Sequence, residues 1–96
     1  MQDLTQIEPK ALWKHFADLN AVPRPSKKEE RVIQFMVDFG NTLGLATQVD
    51  KIGNVVIKKE GSQHLKNAPA VILQSHLDMV HQKNNETVFD FDKEGI

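Results

Sequence analysis

The run Pro69-Ala70-Val71-Ile72-Leu73 is apolar on consecutive positions, and it constrains the fold more than any other stretch of the chain. Successive residues of a strand point to opposite faces, so an unbroken apolar run reads as a strand covered on both sides. Pro69 suits the first residue of such a strand, where no ladder donor is required. An inner strand of this kind needs structure above and below it, which points to an α/β layer arrangement.

The elements that precede the run supply part of that cover. Pro9 announces a first helix, in which Leu12, Phe16 and Leu19 form an apolar stripe and His15 falls toward the polar side. The helix is expected to stop near Asn20, because Pro23 and Pro25 disfavour helical geometry in the residues before them. Val22-Pro23-Arg24-Pro25-Ser26 then reads as a stiff connector. Ser26 and Glu29 have the spacing of a capping box, and Val32, Met36, Phe39 and Leu43 recur at helical intervals after it. Gly44 is the expected stop, while Gly40 interrupts the helical pattern near its end. Thr47, Val49 and Lys51 alternate with polar residues, Ile52-Gly53-Asn54 offers a turn, and Val55-Val56-Ile57 reads as the returning strand of a hairpin. The expected fold is therefore α/β: two helices, a β-hairpin and a buried strand. These elements are too few to cover that strand on both faces, so the sheet is expected to be incomplete.

Composition narrows the functions. The 96 residues fit one small domain or a piece of one. Twelve Lys and Arg against thirteen Asp and Glu leave a net charge of −1, which argues against electrostatic binding to nucleic acid or to an anionic membrane. With no Cys, disulfides, thiolate zinc sites and a cysteine nucleophile are all excluded. The first residues lack the basic flank and apolar core of a secretion signal, and no apolar run approaches the roughly 20 residues that span a bilayer. A soluble, cytoplasmic chain is the expectation.

Directly after the apolar run comes Gln74-Ser75-His76-Leu77-Asp78-Met79-Val80. Ligands of open α/β sheets bind beyond the carboxyl ends of the strands, which makes this the expected site. Residues two apart in extended chain project to one side, so the Asp78 carboxylate can accept the His76 imidazole N–H. That contact fixes the tautomer and leaves the other ring nitrogen free as a metal ligand or a base. The competing reading is a hydrogen-bonded structural histidine at a strand end. His15 and His64 are expected on solvated surface, and nothing fixes the direction of His81. Asp90 and Asp92 read as solvated carboxylates. No phosphate-binding glycine loop and no nucleophile elbow is found.

These residues carry a resemblance. Ser75-His76-Leu77-Asp78-Met79-Val80, with Gln82-Lys83-Asn84-Asn85 after it, closely resembles the first metal-site segment of the bacterial aminoacyl-histidine dipeptidases (Xaa-His dipeptidases, peptidase D) of the dinuclear zinc exopeptidase superfamily. Leu12-Trp13, the Val22 to Ser26 connector with Glu29-Glu30, and Asp50-Lys51-Ile52-Gly53-Asn54-Val55 follow the family's order. The resemblance implies that residues 1–96 form an N-terminal fragment of the catalytic peptidase domain, without the lid or dimerisation domain. It implies that His76 is a ligand of one zinc ion and that Asp78 is the catalytic Asp orienting that histidine. The family's bridging Asp, its general-base Glu and its further ligands have no counterpart here. Weak or no zinc binding and no turnover by the chain alone are the consequence, with a small dipeptide as the parent's substrate. Two other readings compete. One is a non-catalytic module that self-associates through open sheet edges; the other is a segment of a related aminopeptidase or deacylase.

Overall fold

A computed structural model describes residues 3–96. A 3-10 turn, Leu4–Gln6, leads into helix α1, Lys10–Asn20, and a second helix, α2, covers Glu30–Thr42. Strands β1, Ala46–Val49, and β2, Val55–Lys58, pair antiparallel with Thr47 opposite Ile57 and Val49 opposite Val55. The order of helix, helix and hairpin follows the sequence reading, and the chain is an α/β fragment with a two-stranded sheet.

The hairpin lies against α2, and Val32 in that helix is the one large apolar side chain with no exposure among the described residues. Gly40 explains its own place inside the helical pattern. It is buried, and a Cβ there would overlap Thr47 Oγ1 and lie 3.2 Å from Ile57. The helix meets the Thr47 and Ile57 side chains at a position where it carries none of its own. At the hairpin tip the chain turns through residues 50–54, which include the expected Ile52-Gly53-Asn54. Asp50 organises it: one carboxylate oxygen accepts the amides of Ile52, Gly53 and Asn54 at 2.9 Å each, and the other accepts Asn54 Nδ2 at 2.8 Å. Those bonds hold the Asp50 carboxyl below its usual 3.8, the Asn54 side chain having the largest effect. Gly53 has φ +105, which a residue with a Cβ rarely adopts.

Three expectations are corrected. The capping box does not form: Glu29 occupies the cap position of α2 without a side-chain cap bond, and its Oε1 accepts Lys27 N at 2.7 Å. The stripe of α1 is only partly covered, since Leu12 and Phe16 remain exposed. The largest departure is the apolar run. Residues 70–73 pair with no strand among the described residues, and Val71, Ile72 and Leu73 are 84%, 88% and 93% exposed. The described elements lie elsewhere and leave both faces of the run bare, so the incompleteness of the sheet is carried by this segment.

The whole chain shows the same deficit. It exposes 8179 Å², against about 5,600 Å² for a closed monomer of this mass. Its radius of gyration is 16.2 Å, against about 12.5 Å for a compact domain of this length.

Candidate functional site

The segment after the apolar run is held by the connector between the helices. Met79 N donates to Arg24 O at 2.8 Å, and Ser26 N donates to Met79 O at 3.0 Å, forming a parallel bridge centred on Pro25 and Met79. A bridge of this form uses the carbonyl before Pro25 and the amide after it, so the donor that proline lacks is never required. Pro25 is buried beneath the contact. Arg24 reinforces it from the side: Nη1 donates to Leu77 O at 2.9 Å and Nη2 to Asn20 Oδ1 at 2.6 Å. The residues read as a stiff connector therefore clamp residues 77–79.

Within the clamp, His76 and Asp78 meet as their spacing predicts. His76 Nδ1 lies 2.8 Å from the Asp78 carbonyl oxygen and 3.2 Å from Asp78 Oδ1. Both of these atoms accept hydrogen bonds, so Nδ1 carries a proton, and in the neutral ring the lone pair is then on Nε2. The imidazole is mostly exposed, with its side chain at 80% of full accessibility. The other carboxylate oxygen of Asp78, Oδ2, accepts the Ser26 hydroxyl at 2.5 Å. The Asp78 carboxyl is held below its usual 3.8, first by this hydroxyl; partial desolvation opposes the shift, and the imidazole adds to it.

A free imidazole nitrogen facing open space suits one position in a metal's coordination shell. The carboxylate, with both oxygens engaged inside the protein, suits orientation of the ring. A catalytic zinc takes three protein ligands and a water. Among the described residues, no group of three His, Cys, Asp or Glu side chains comes together to hold a metal. The segment thus fits one ligand and its orienting partner, and it leaves the remaining ligands unsupplied.

The other candidates fall outside this pair. His15 is exposed, with its ring edge-on to Phe39 at 5.6 Å between centroids. His64 lies in a 3-10 turn, Gln63–Leu65, and is exposed. His81 packs edge-on to Phe91 at 6.4 Å. Asp92 is more engaged than a solvated carboxylate, because Lys28 Nζ meets its two oxygens at 2.9 and 3.0 Å. Arg31 Nη2 also donates to its carbonyl at 2.5 Å. Sequence reasoning missed Ser26 and Arg24 as parts of the site, although the connector was visible. The only available signal was a proline-stiffened segment carrying polar side chains.

Comparison with known proteins agrees with the motif. The chain is 41% identical over all 96 residues to the cytosol non-specific dipeptidase of Escherichia coli, covering 20% of that protein. In structure it matches the aminoacylhistidine dipeptidase of Vibrio alginolyticus with a TM-score of 0.91 and 37% identity, over 99% of this chain and 19% of that one. The chain is homologous to these dipeptidases. It spans about one fifth of the length of either relative. No family model matches it. No helix among the described residues is long and apolar enough to cross a membrane.

Proposed function

We propose that this chain is the N-terminal, metal-binding segment of the catalytic domain of a zinc dipeptidase that hydrolyses Xaa-His dipeptides in the cytoplasm. His76 is a zinc ligand through Nε2. Asp78 is the catalytic carboxylate that holds the ring in that tautomer and supports its basicity. The observation that carries this reading is the pairing of His76 Nδ1 with two acceptors of Asp78, which leaves the opposite nitrogen free toward solvent. A zinc ion held through His76 would supply Lewis-acid chemistry for hydrolysis in the complete enzyme. The residues of this chain contribute the directed lone pair and the fixed negative charge behind it. The bridging carboxylate, the general base and the lid or dimerisation domain belong to other parts of such an enzyme, so residues 1–96 alone do not turn over substrate.

The test uses a chimera in which residues 1–96 replace the matching fifth of the Escherichia coli dipeptidase. The zinc-loaded chimera is expected to hydrolyse β-alanyl-histidine. His76→Ala should abolish zinc retention and turnover, and Asp78→Asn should weaken zinc affinity by roughly 10- to 100-fold. Full zinc retention by the His76→Ala chimera, or turnover by the 96-residue chain alone, overturns the reading.

A second reading follows from the bare run at Val71, Ile72 and Leu73, which presents unpaired backbone to a second copy. Light scattering on the chain at increasing concentration decides it, and a strictly monomeric chain counts against it.

A further inference from the structure

A short carboxylate side chain turns readily about both of its torsions, so an Asp next to a histidine does not orient it unless something fixes the Asp. In this chain the two oxygens of Asp78 have separate partners. Oδ1 faces His76 Nδ1 at 3.2 Å, and Oδ2 accepts the Ser26 hydroxyl at 2.5 Å. Ser26 Oγ also lies 3.2 Å from Met79 O. A serine hydroxyl has one proton, and the shorter contact to the charged acceptor takes it.

We propose that Ser26 is a positioning residue that aims the Asp78 carboxylate at His76. The proposal rests on the reading of His76 and Asp78 as ligand and orienting partner, and it adds the group that holds the second of them.

Ser26 is itself fixed on both sides. Its amide donates to Met79 O at 3.0 Å, so its backbone belongs to the same bridge that holds the segment it orients. The next residue, Lys27, has φ +75. A non-glycine residue adopts that left-handed geometry at a cost and keeps it only where the surroundings impose it. The turn at Lys27 swings the chain out of the bridge and into α2 while leaving Ser26 facing Asp78. The alternative role for this serine, capping α2, is not taken up: Glu29 is the cap residue.

The contribution of the carboxylate is distinct from that of the backbone. The Asp78 carbonyl oxygen is the nearer acceptor of the imidazole proton, at 2.8 Å, but it is uncharged. The ionised Oδ1 adds a charge-assisted partner to the same nitrogen, roughly twice as strong as a neutral one at equal geometry. Loss of the Ser26 hydroxyl is therefore expected to release the carboxylate and shift the tautomer ratio of His76, without unfolding the bridge.

The test compares wild type, Ser26→Thr, Ser26→Ala and Ser26→Val in the 96-residue chain by nuclear magnetic resonance at pH 9. Thr and Val have the same shape and differ in the hydroxyl, so the pair separates the hydrogen bond from packing. Side-chain couplings of Asp78 report its rotamer, and imidazole nitrogen shifts report the His76 tautomer. Wild type and Ser26→Thr should show one Asp78 rotamer and His76 protonated on Nδ1. Ser26→Ala and Ser26→Val should show averaged Asp78 couplings and a several-fold shift of the tautomer ratio toward Nε2–H. Equal Asp78 couplings in all four proteins overturn the proposal, as does loss of the rotamer in Ser26→Thr and Ser26→Val alike. Neither result touches the ligand role of His76, which the zinc retention of the chimera decides separately.

Discussion

Two neighbouring stretches of this chain, a closed half and an open half of residues 30–80, have similar hydrophobic content and opposite fates. In residues 30–58, Val32 is buried and α2 brings Gly40 against Thr47 and Ile57 of the hairpin. In residues 61–80, the most apolar run of the chain lies open to solvent. An amphipathic helix followed by a hairpin satisfies its own backbone and covers one face with its neighbour, so it closes locally. A strand apolar on both faces cannot close locally, because its donors, acceptors and side chains all require partners from elsewhere. The difference shows that apolar content alone does not make a core; the partners must lie within reach of the same stretch of chain. The clamp from Arg24, Pro25 and Ser26 to residues 77–79 ties the open half to the closed one, and it does so next to the candidate ligand.

The strongest way to break this contrast is Gly40→Val. A branched side chain at the closest approach of α2 and the hairpin should cost about 3 kcal/mol, read as loss of amide protection throughout β1 and β2. Val32→Ala removes two methyl groups from the most enclosed side chain and should cost about 2 kcal/mol in urea unfolding. Acid should loosen the same half in a graded way. The carboxyl of Asp50 is lowered by the fold, so its contribution is complete above the ordinary value of 3.8 and is lost as pH falls through the lowered one. Amide exchange at Ile52, Gly53 and Asn54 should therefore accelerate below pH 3.8 and not between pH 7 and 5. The smallest effect is expected in the open half. Leu73→Ser, at a residue 93% exposed, should change the stability of the chain by less than about 0.5 kcal/mol. A cost comparable to that of Val32→Ala would show that residues 70–73 are covered in solution.

The contrast also explains what was legible in the sequence. The helices and the hairpin are set by periodicity and turn chemistry within a few residues, and Asp50 with Gly53 specifies the hairpin tip locally. The His76 and Asp78 pairing was legible for the same reason, since two residues of extended chain suffice to bring the side chains together. The apolar run was read correctly for its character and incorrectly for its surroundings, because cover is a property of other segments. Ser26 was misread as a helix cap. Its spacing to Glu29 is that of a capping box, but Asp78, 52 residues away, offers a charged acceptor in place of a neutral backbone donor.

What the sequence determined by itself is therefore the local chemistry: two amphipathic helices, a hairpin with an Asp-organised turn, and a histidine whose tautomer is set two residues on. Tertiary structure alone decided which side chains serve that histidine. Arg24 and Ser26 reach residues 77–79 because the proline-stiffened connector is laid alongside them, a contact across more than 50 residues that no local period encodes. Hydrogen bonds at that separation depend on the path of the whole chain, whereas those within a turn depend only on the residues that form it.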